Sequence, residues 1–411
     1  MLREPVMLQG RRIVLGVTGG IAAYKAAELV RELVRRGAQV RVVMTDHARE
    51  FVRPLTFETL SGNPVATDLF RPTGGHEIDH IALADFAELV VIVPATANVI
   101  GKLAAGIADD LLTTVLLAAT VPVLICPAMN VNMYANAIVK ENIARLTARG
   151  HAVLEPGYGE MACRTEGQGR LPEVSEIAEE IECLLSPKTL RDEHILITAG
   201  PTQEAFDPVR YITNHSSGKM GYALAVMARR RGAAVTLVSG PTELPAPRGV
   251  RMVEVRTALA MRDSVLEHLK KATVVIKAAA VADYRPTVCR KTKIKKDAER
   301  MTVTLERNPD IIAEIGKKKG NRIVVGFAME SDHLLENAQR KLVAKKMDMI
   351  VANDLTVPGA GFRTDTNIIR ILDREGGDET YPLMDKLEAA GVILDRVKGM
   401  RDDKRIRDGR C

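Results

Sequence analysis

Residues 13–17 form a β-branched apolar run that Thr18, Gly19 and Gly20 break before apolar residues resume at helical spacing. A strand-to-helix turn of that kind leaves backbone N–H groups and a helix dipole free to meet a phosphate, each interaction worth about 0.3–1 kcal/mol. It is not the G-x-G-x-x-G fingerprint, so alone it reads equally as a phosphate site or as tight packing. Three further candidates follow later strand-like runs: Pro94-Ala95-Thr96-Ala97-Asn98, Pro127-Ala128-Met129-Asn130, and a glycine-rich stretch at 157–170 that holds Cys163. Ligands of doubly wound sheets bind at the carboxyl ends of strands, and these segments share that location. Asn98 or Asn130 by itself reads as a turn residue. His76 and His80 have the spacing of a helical metal pair, but no acidic or cysteine ligand recurs at metal spacing nearby, so no metal is expected there. His80 precedes an apolar run, where an imidazole is either satisfied in the core or placed for proton transfer.

The second half carries another set. Residues 214–221 (NHSSGKMG) gather backbone donors, hydroxyls and a cation ahead of a helix, which suits a phosphate nest; Met220 after Gly218-Lys219 excludes a Walker A loop. The plainer reading is a helix capped by Ser216 or Ser217. Arg290, Lys291, Lys293, Lys295 and Lys296 put five cations in seven positions, the pattern of a solvated loop, an RNA-contacting patch or a cover for a triphosphate. With aromatic residues at 3%, base-stacking platforms are scarce. Lys341 and Lys345, four apart on one helix face, could join the triphosphate or form an ordinary surface pair. Asp283 follows Ala278-Ala279-Ala280, where a backbone can approach a ligand closely and a carboxylate can hold Mg²⁺; an isolated Asp otherwise forms turns.

Placing these groups takes two sheets. Strand-like runs at 13–17, 39–44, 89–93 and 123–126 alternate with helical stretches after Gly20 and near 97–119 and 136–149. The stop signal Arg35-Arg36-Gly37-Ala38 recurs as Arg230-Arg231-Gly232-Ala233, before a strand at 235–239 and after a helix at 219–231. Further strand-like runs lie at 273–277, 302–305, 322–327, 349–353 and 367–372, with helices near 258–269 and 331–346. The expected architecture is α/β, two doubly wound Rossmann-like domains at 1–187 and 188–411, joined near Ser186-Pro187-Lys188, with a tail from Lys398 too polar to pack. Lys+Arg 58 against Asp+Glu 52 gives +6 across 411 residues, 46% of them apolar, which fits a globular protein and leaves small phosphorylated substrates and nucleic acid both open. Five cysteines without a C-x-x-C pair indicate neither a zinc ribbon nor a disulfide framework and point to a reducing cytoplasm. Residues 1–10 lack an apolar signal core and no run of 18 apolar residues occurs, which disfavours secretion and membrane spanning.

VTGGIAAYK, HIALA, PATAN, PAMN followed by MY, and the AC...GxGR stretch resemble the flavin-dependent phosphopantothenoylcysteine decarboxylases over most of residues 11–185. The resemblance implies FMN with its phosphate near Gly19, Gly20 and the Thr96 to Asn98 loop, with Ile21 and Thr45 also against the cofactor. It further implies His80 as the catalytic histidine, Asn130 gripping the substrate carboxylate and Cys163 as proton donor. The implied chemistry oxidises a thiol to a thioaldehyde, so that the carboxylate lies β to C=S and CO₂ loss gives a stabilised enethiolate. Arg164 stands where that family usually has Gly.

ITAGPTQEAFDPVRYITNHSSGKMGYALA, AAAVADYRP, KIKK, NPDI, VVGFA and the Lys341/Lys345 helix resemble bacterial-type phosphopantothenate-cysteine ligases over about residues 194–385. That resemblance implies attack of a carboxylate on the α-phosphate of CTP, then displacement of CMP by the amine of cysteine. Lys293 would promote the acyl-cytidylate and Asn214 its conversion to amide. Ala279, Asp283, Pro309, Asp310, Ile311, Ile312, Phe327, Lys341 and Lys345 would surround CTP, with Mg²⁺ on Asp283, and Ser216, Ser217 and Gly218 suit the pantothenate phosphate. Decarboxylase followed by ligase is the arrangement of bifunctional coenzyme A biosynthesis proteins. It implies small-molecule partners only (4′-phosphopantothenate, cysteine and CTP), with no nucleic acid or membrane, and a homo-oligomer up to a dodecamer. A flavin-holding regulatory subunit would not require His80, Asn130 and Cys163 together; a nicotinamide-dependent oxidoreductase would carry no flavin.

Overall fold

The computed structural model describes residues 8–70, 79–160, 166–295, 299, 301–330, 334–354 and 364–407. The chain divides into two compact units, Met1–Ser186 and Pro187–Cys411. In the first, strands β1 (Arg12–Val17), β2 (Gln39–Met44), β3 (Leu89–Ala95), β4 (Val123–Pro127) and β5 (Ala152–Val153) form a parallel sheet in the order β2-β1-β3-β4-β5. Its strands are apolar almost throughout because both faces are covered. Leu15, Val17 and Val91 pack with Leu29, Leu33 and Ile177 of the helices Ala23–Arg35 and Val174–Leu185. Val14, Val90 and Ile92 pack with Leu103, Leu112 and Val115 of Ala97–Ala105 and Leu111–Ala118. The helix expected over 97–119 is thus two: Gly106 ends the first, and Asp110 starts the second by accepting a hydrogen bond from Thr113 N at 2.8 Å.

The second unit has eight strands: β6 (His194–Ala199), β7 (Ala234–Ser239), β8 (Arg251–Glu254), β9 (Val274–Lys277), β10 (Ile323–Glu330), β11 (Met349–Asp354), β12 (Ile369–Asp373) and β13 (Asp378–Thr380). They follow the order β8-β7-β6-β9-β10-β11-β12-β13, parallel through β11 and antiparallel beyond. The strand expected at 302–305 does not join this sheet. Leu305–Arg307, all exposed, instead pairs with Tyr284–Pro286 in a separate ribbon, because it has no apolar face to bury. Both units are doubly wound and Rossmann-like. Their chain order reverses between β1 and β3 and between β6 and β9, and a reversal of that kind opens a crevice at the carboxyl ends.

The reading of the tail from Lys398 as too polar to pack is corrected. The helix Lys386–Arg407 runs through it, seated first by Ala390, Ile393, Leu394 and Val397 and then by charge. Arg401 Nε and Arg405 Nη2 donate to the buried Glu193 carboxylate at 3.0 and 2.8 Å, and Lys404 Nζ donates to Arg322 O. Hydrophobic periodicity ends at Val397; ion pairing to another element leaves no such signal. Among the described residues no helix is long and apolar enough to cross a membrane.

Candidate functional site

In the first unit a cavity of about 640 Å³ opens at the carboxyl ends of β1, β3 and β4. The turn after β1 contributes Gly19, Gly20, Ile21, Tyr24 and Lys25; the other loops contribute Thr96, Ala128, Met129, Asn130 and Met133, and the hairpin stems Gly157–Glu160 and Glu166–Arg170 add Glu160, Gly169 and Arg170. Thr18 holds the two central loops together, donating to Pro94 O at 2.6 Å and accepting from Thr96 N at 3.1 Å. Gly19 is required by close approach: a Cβ there would lie 2.3 Å from His47 Cβ. The helices Ala23–Arg35 and Ala97–Ala105 both begin without a side-chain cap, at Ala22 and Thr96. At the first, Ala23 N and Lys25 N donate to Gly20 O and Ala22 O, whereas the opening N–H groups of the second lack a side-chain acceptor, which suits an anion. Such a terminus beside a largely apolar wall fits a flavin phosphate and its ring. Asn130 caps the helix Val131–Ala135, its Oδ1 accepting from Asn132 N at 2.9 Å; Nδ2 is the donor end that a carboxylate would need.

Of the sequence-derived candidates, Gly19, Gly20, Ile21, Thr96 and Asn130 line this cavity, whereas Thr45, Asn98 and His80 do not. Thr45 is buried at the carboxyl end of β2, where its N–H donates to Val17 O, and Asn98 is exposed in the first turn of its helix. His80 is half-buried on the helix Asp79–Phe86, and its Nδ1 is buried with no hydrogen-bond partner among the described residues. Cys163, Arg164 and His76 lie outside the described residues. Tyr24, Lys25, Met133, Glu160 and Arg170 were not singled out as site residues; Tyr24 and Lys25 stand in the first helical turn after the glycines, which is the signal that could have found them.

In the second unit a cavity of about 360 Å³ lies beyond β9 and β10. It brings together Asp283, Pro309, Asp310, Ile311, Ile312, Phe327, Lys341 and Lys345, all of them sequence-derived candidates, with Lys277, Arg307 and Asn308, which were not. Asp310 caps the helix Ile311–Lys317 by accepting from Ala313 N, and it pairs with Lys345 Nζ at 2.9 Å. Burial alone would raise its pKa, but the hydrogen bond from Lys345 and the capped N–H hold it below the usual carboxylate range. Lys277, at the end of β9, is pushed down to about 8 by burial and then by Lys345 and Lys341, against the pull of Asp310 and Asp283.

The wall that carries Asp283 is pinned from several sides. Thr198 and Thr202 accept from Ala279 N and Ala282 N, Asn214 Nδ2 donates to Ala280 O at 2.9 Å, and Asn308 Nδ2 donates to Ala282 O at 2.8 Å. Ala279 is buried in that segment and does not line the cavity. Ser216, Ser217 and Gly218 precede the helix Lys219–Arg230, whose N-cap is Gly218 in the left-handed region at φ 79°, so neither serine caps it and its first N–H groups have no side-chain cap. A Cβ on Gly218 would lie 2.7 Å from Thr242 Cγ2. Lys293 is exposed and outside the cavity. Its loop is tied down next door, where Arg210 Nη2 donates to Ile294 O and Ile294 N donates to Asp207, whose buried carboxylate also receives Arg210 at 2.6 Å. Lys296 lies outside the described residues. Among the described residues no group of three or more His, Cys, Asp or Glu side chains is arranged to hold a metal ion.

Residues 1–186 match the family described as Flavoprotein, and residues 190–400 match the DNA/pantothenate metabolism flavoprotein C-terminal domain. The chain is 48% identical over 398 residues to the Coenzyme A biosynthesis bifunctional protein CoaBC of Bacillus subtilis (strain 168), covering 96% of this chain and 98% of that protein. It is 44% identical over 405 residues to the protein of that name in Escherichia coli (strain K12), covering 97% and 100%. A crystal structure of the C-terminal domain of a Coenzyme A biosynthesis bifunctional protein CoaBC matches 53% of this chain and 99% of that one at 42% identity, with a TM-score of 0.46.

Proposed function

The chain belongs to the family of bifunctional coenzyme A biosynthesis proteins, and on that premise we propose that its two crevices act in succession on one metabolite. It is an enzyme with two activities, a flavoprotein decarboxylase and a ligase. In our reading the C-terminal unit joins 4′-phosphopantothenate to cysteine at the expense of CTP, through an acyl-cytidylate. The N-terminal unit then decarboxylates 4′-phosphopantothenoylcysteine to 4′-phosphopantetheine.

The observation that carries the ligase reading is the crevice that sets Lys277, Lys341 and Lys345 and the carboxylates of Asp283 and Asp310 against Ile311, Ile312 and Phe327. Attack of a carboxylate on a triphosphate brings anions together, and fixed cations with a metal lower that barrier. Apolar side chains offer a wall for the base. Asp283 is our candidate for sharing Mg²⁺ with the phosphates, Lys293 for neutralising charge as the acyl-cytidylate forms, and Asn214 for keeping the Ala280 segment in place while amine displaces CMP. Ser216, Ser217 and Gly218, ahead of an uncapped helix, suit the pantothenate phosphate.

In the N-terminal unit, Gly19, Gly20 and Thr96 would hold the phosphate of FMN and Ile21 its ring. When bound, a flavin supplies the two-electron sink without which CO₂ loss would leave an unstabilised carbanion. Asn130 orients the substrate carboxylate through its amide donor, His80 stands as the catalytic histidine, and Cys163 returns a proton. Assembly as a homo-oligomer and a reducing cytoplasmic setting complete the proposal, the latter resting on cysteine usage.

Two measurements test it. Heat-denatured protein should release FMN, and the folded chain should release pyrophosphate from CTP only when 4′-phosphopantothenate is present. Protein without flavin, or pyrophosphate release indifferent to the acid, would contradict the corresponding half. His80→Asn should keep bound flavin and lose CO₂ release; ordinary turnover by that variant would remove the histidine from its role.

A further inference from the structure

Lys277 shares its crevice with the carboxylates of Asp283 and Asp310, yet among the described residues neither is paired with it. It ends β9 opposite Gly326 of β10 and points no hydrogen bond at the rest of the unit: among the described residues it has no hydrogen-bonded or ion-paired partner. The crevice around it holds Lys341 and Lys345 from the helix Leu334–Ala344 and the residue after it, Asp310 from a helix N-terminus, Asp283 from the loop beyond β9, and Arg307. Lys345 is already committed to Asp310 at 2.9 Å, and among the described residues the Asp283 carboxylate makes no hydrogen bond. A desolvated ammonium beside Lys345 and Lys341, only partly offset by Asp310 and Asp283, is unfavourable until an anion arrives, and its pKa is lowered by burial first and by those lysines second.

We propose that Lys277 is a further nucleotide-binding residue of the ligase crevice, donating to an oxygen of the phosphate chain. The inference rests on the nucleotide reading given above. The chemistry is complementary: an ammonium has three donors and no acceptor, phosphate oxygens are acceptors, and a polyphosphate placed among Lys277, Lys341 and Lys345 relieves their mutual repulsion. The neighbouring apolar side chains Ile311, Ile312 and Phe327 can receive a base but give an anion nothing.

The test is calorimetric titration of the full-length enzyme with Mg²⁺ and either CTP or cytidine, for the parent, Lys277→Met and Lys277→Arg. Lys277→Met should weaken CTP about 10- to 100-fold, the range of a charged hydrogen bond, and leave cytidine within about twofold. Lys277→Arg should keep CTP binding within about threefold, because the cation is retained. Lys277→Gln repeats the loss if the methionine variant fails to fold. Unchanged CTP affinity in the neutral variants, or an equal loss for CTP and cytidine, overturns the proposal while leaving the nucleotide site standing. A parent enzyme that binds no CTP overturns both.

Discussion

Lys277 also makes a statement about stability. In the unfolded chain a lysine titrates near 10.5 and in the fold this one titrates at about 8, so between those values the unfolded state binds the extra proton and stability rises with pH. Below about pH 8 the fold carries a half-buried, desolvated charge. Lys277→Met should therefore melt higher than the parent at pH 7, by roughly 2–4 °C for each kcal/mol relieved, and the gap should close toward pH 10. A parent that melts above the variant at pH 7 would show that the lysine is structural. Of the neighbouring candidates, Lys341 and Lys345 were marked by type and spacing and Asp283 by the small-residue run before it, because a polyanion needs such charges, whereas Asp310 was implied only by the family resemblance. Lys277 was not, because it sits at the end of a strand-like run and reads as strand. His80 and Asn98 were marked by motif context and Thr45 by the resemblance alone; none of the three lines the cavity, because the direction a side chain takes is set by packing that no local spacing encodes.

Loops and helices repeat the lesson one scale up. The hairpin Gln203–Ala205/Tyr211–Thr213 sets Asp207 beneath the Lys293 loop, and the hydrogen bond from Arg210, against burial and with three backbone N–H groups, holds Asp207 well below the usual carboxylate range. This carboxylate is ionised at any working pH, and its contribution is lost only in strong acid. Asp207→Ala should loosen the Lys293 loop and cut the ligase rate roughly 10- to 100-fold while CO₂ release from supplied phosphopantothenoylcysteine stays at the parent rate. Equal loss of both activities would point to general unfolding instead. The C-terminal helix is held in a similar manner. Truncating Glu193 to Ala removes the acceptor of Arg401 and Thr273 and leaves Arg405 only Asp192, and breaking the largely buried Arg401 pair costs about 3–5 kcal/mol. Melting of the C-terminal unit should fall by about 6 °C or more; an unchanged midpoint would mean that Ile393, Leu394 and Val397 suffice. The central strands of both sheets were legible because covered β-branched runs announce themselves, whereas the edge strands Ala152–Val153, Arg251–Glu254 and Asp378–Thr380, a helix docked by ion pairs and a ribbon of exposed residues have no long apolar run to read.

Across the whole molecule, the repeated strand, glycine turn, helix and Arg-Arg-Gly-Ala stop foretold two doubly wound units, and both are present. Their strand orders differ, since a five-stranded sheet reverses after its first pair while the larger one places three strands before its reversal. That difference is set by long-range pairing, which local pattern does not determine. Each reversal nevertheless lands beside loops whose residues were marked for chemistry, and so one chain carries two crevices, which we propose receive anions. If they serve consecutive reactions, the purified protein should need nothing beyond its own bound flavin, Mg²⁺ and three substrates. The decisive measurement is the mass of the products formed from 4′-phosphopantothenate, cysteine and CTP. A mass corresponding to 4′-phosphopantetheine is expected, with CMP and pyrophosphate; recovery of the unreacted acid, or arrest at phosphopantothenoylcysteine, would contradict the account.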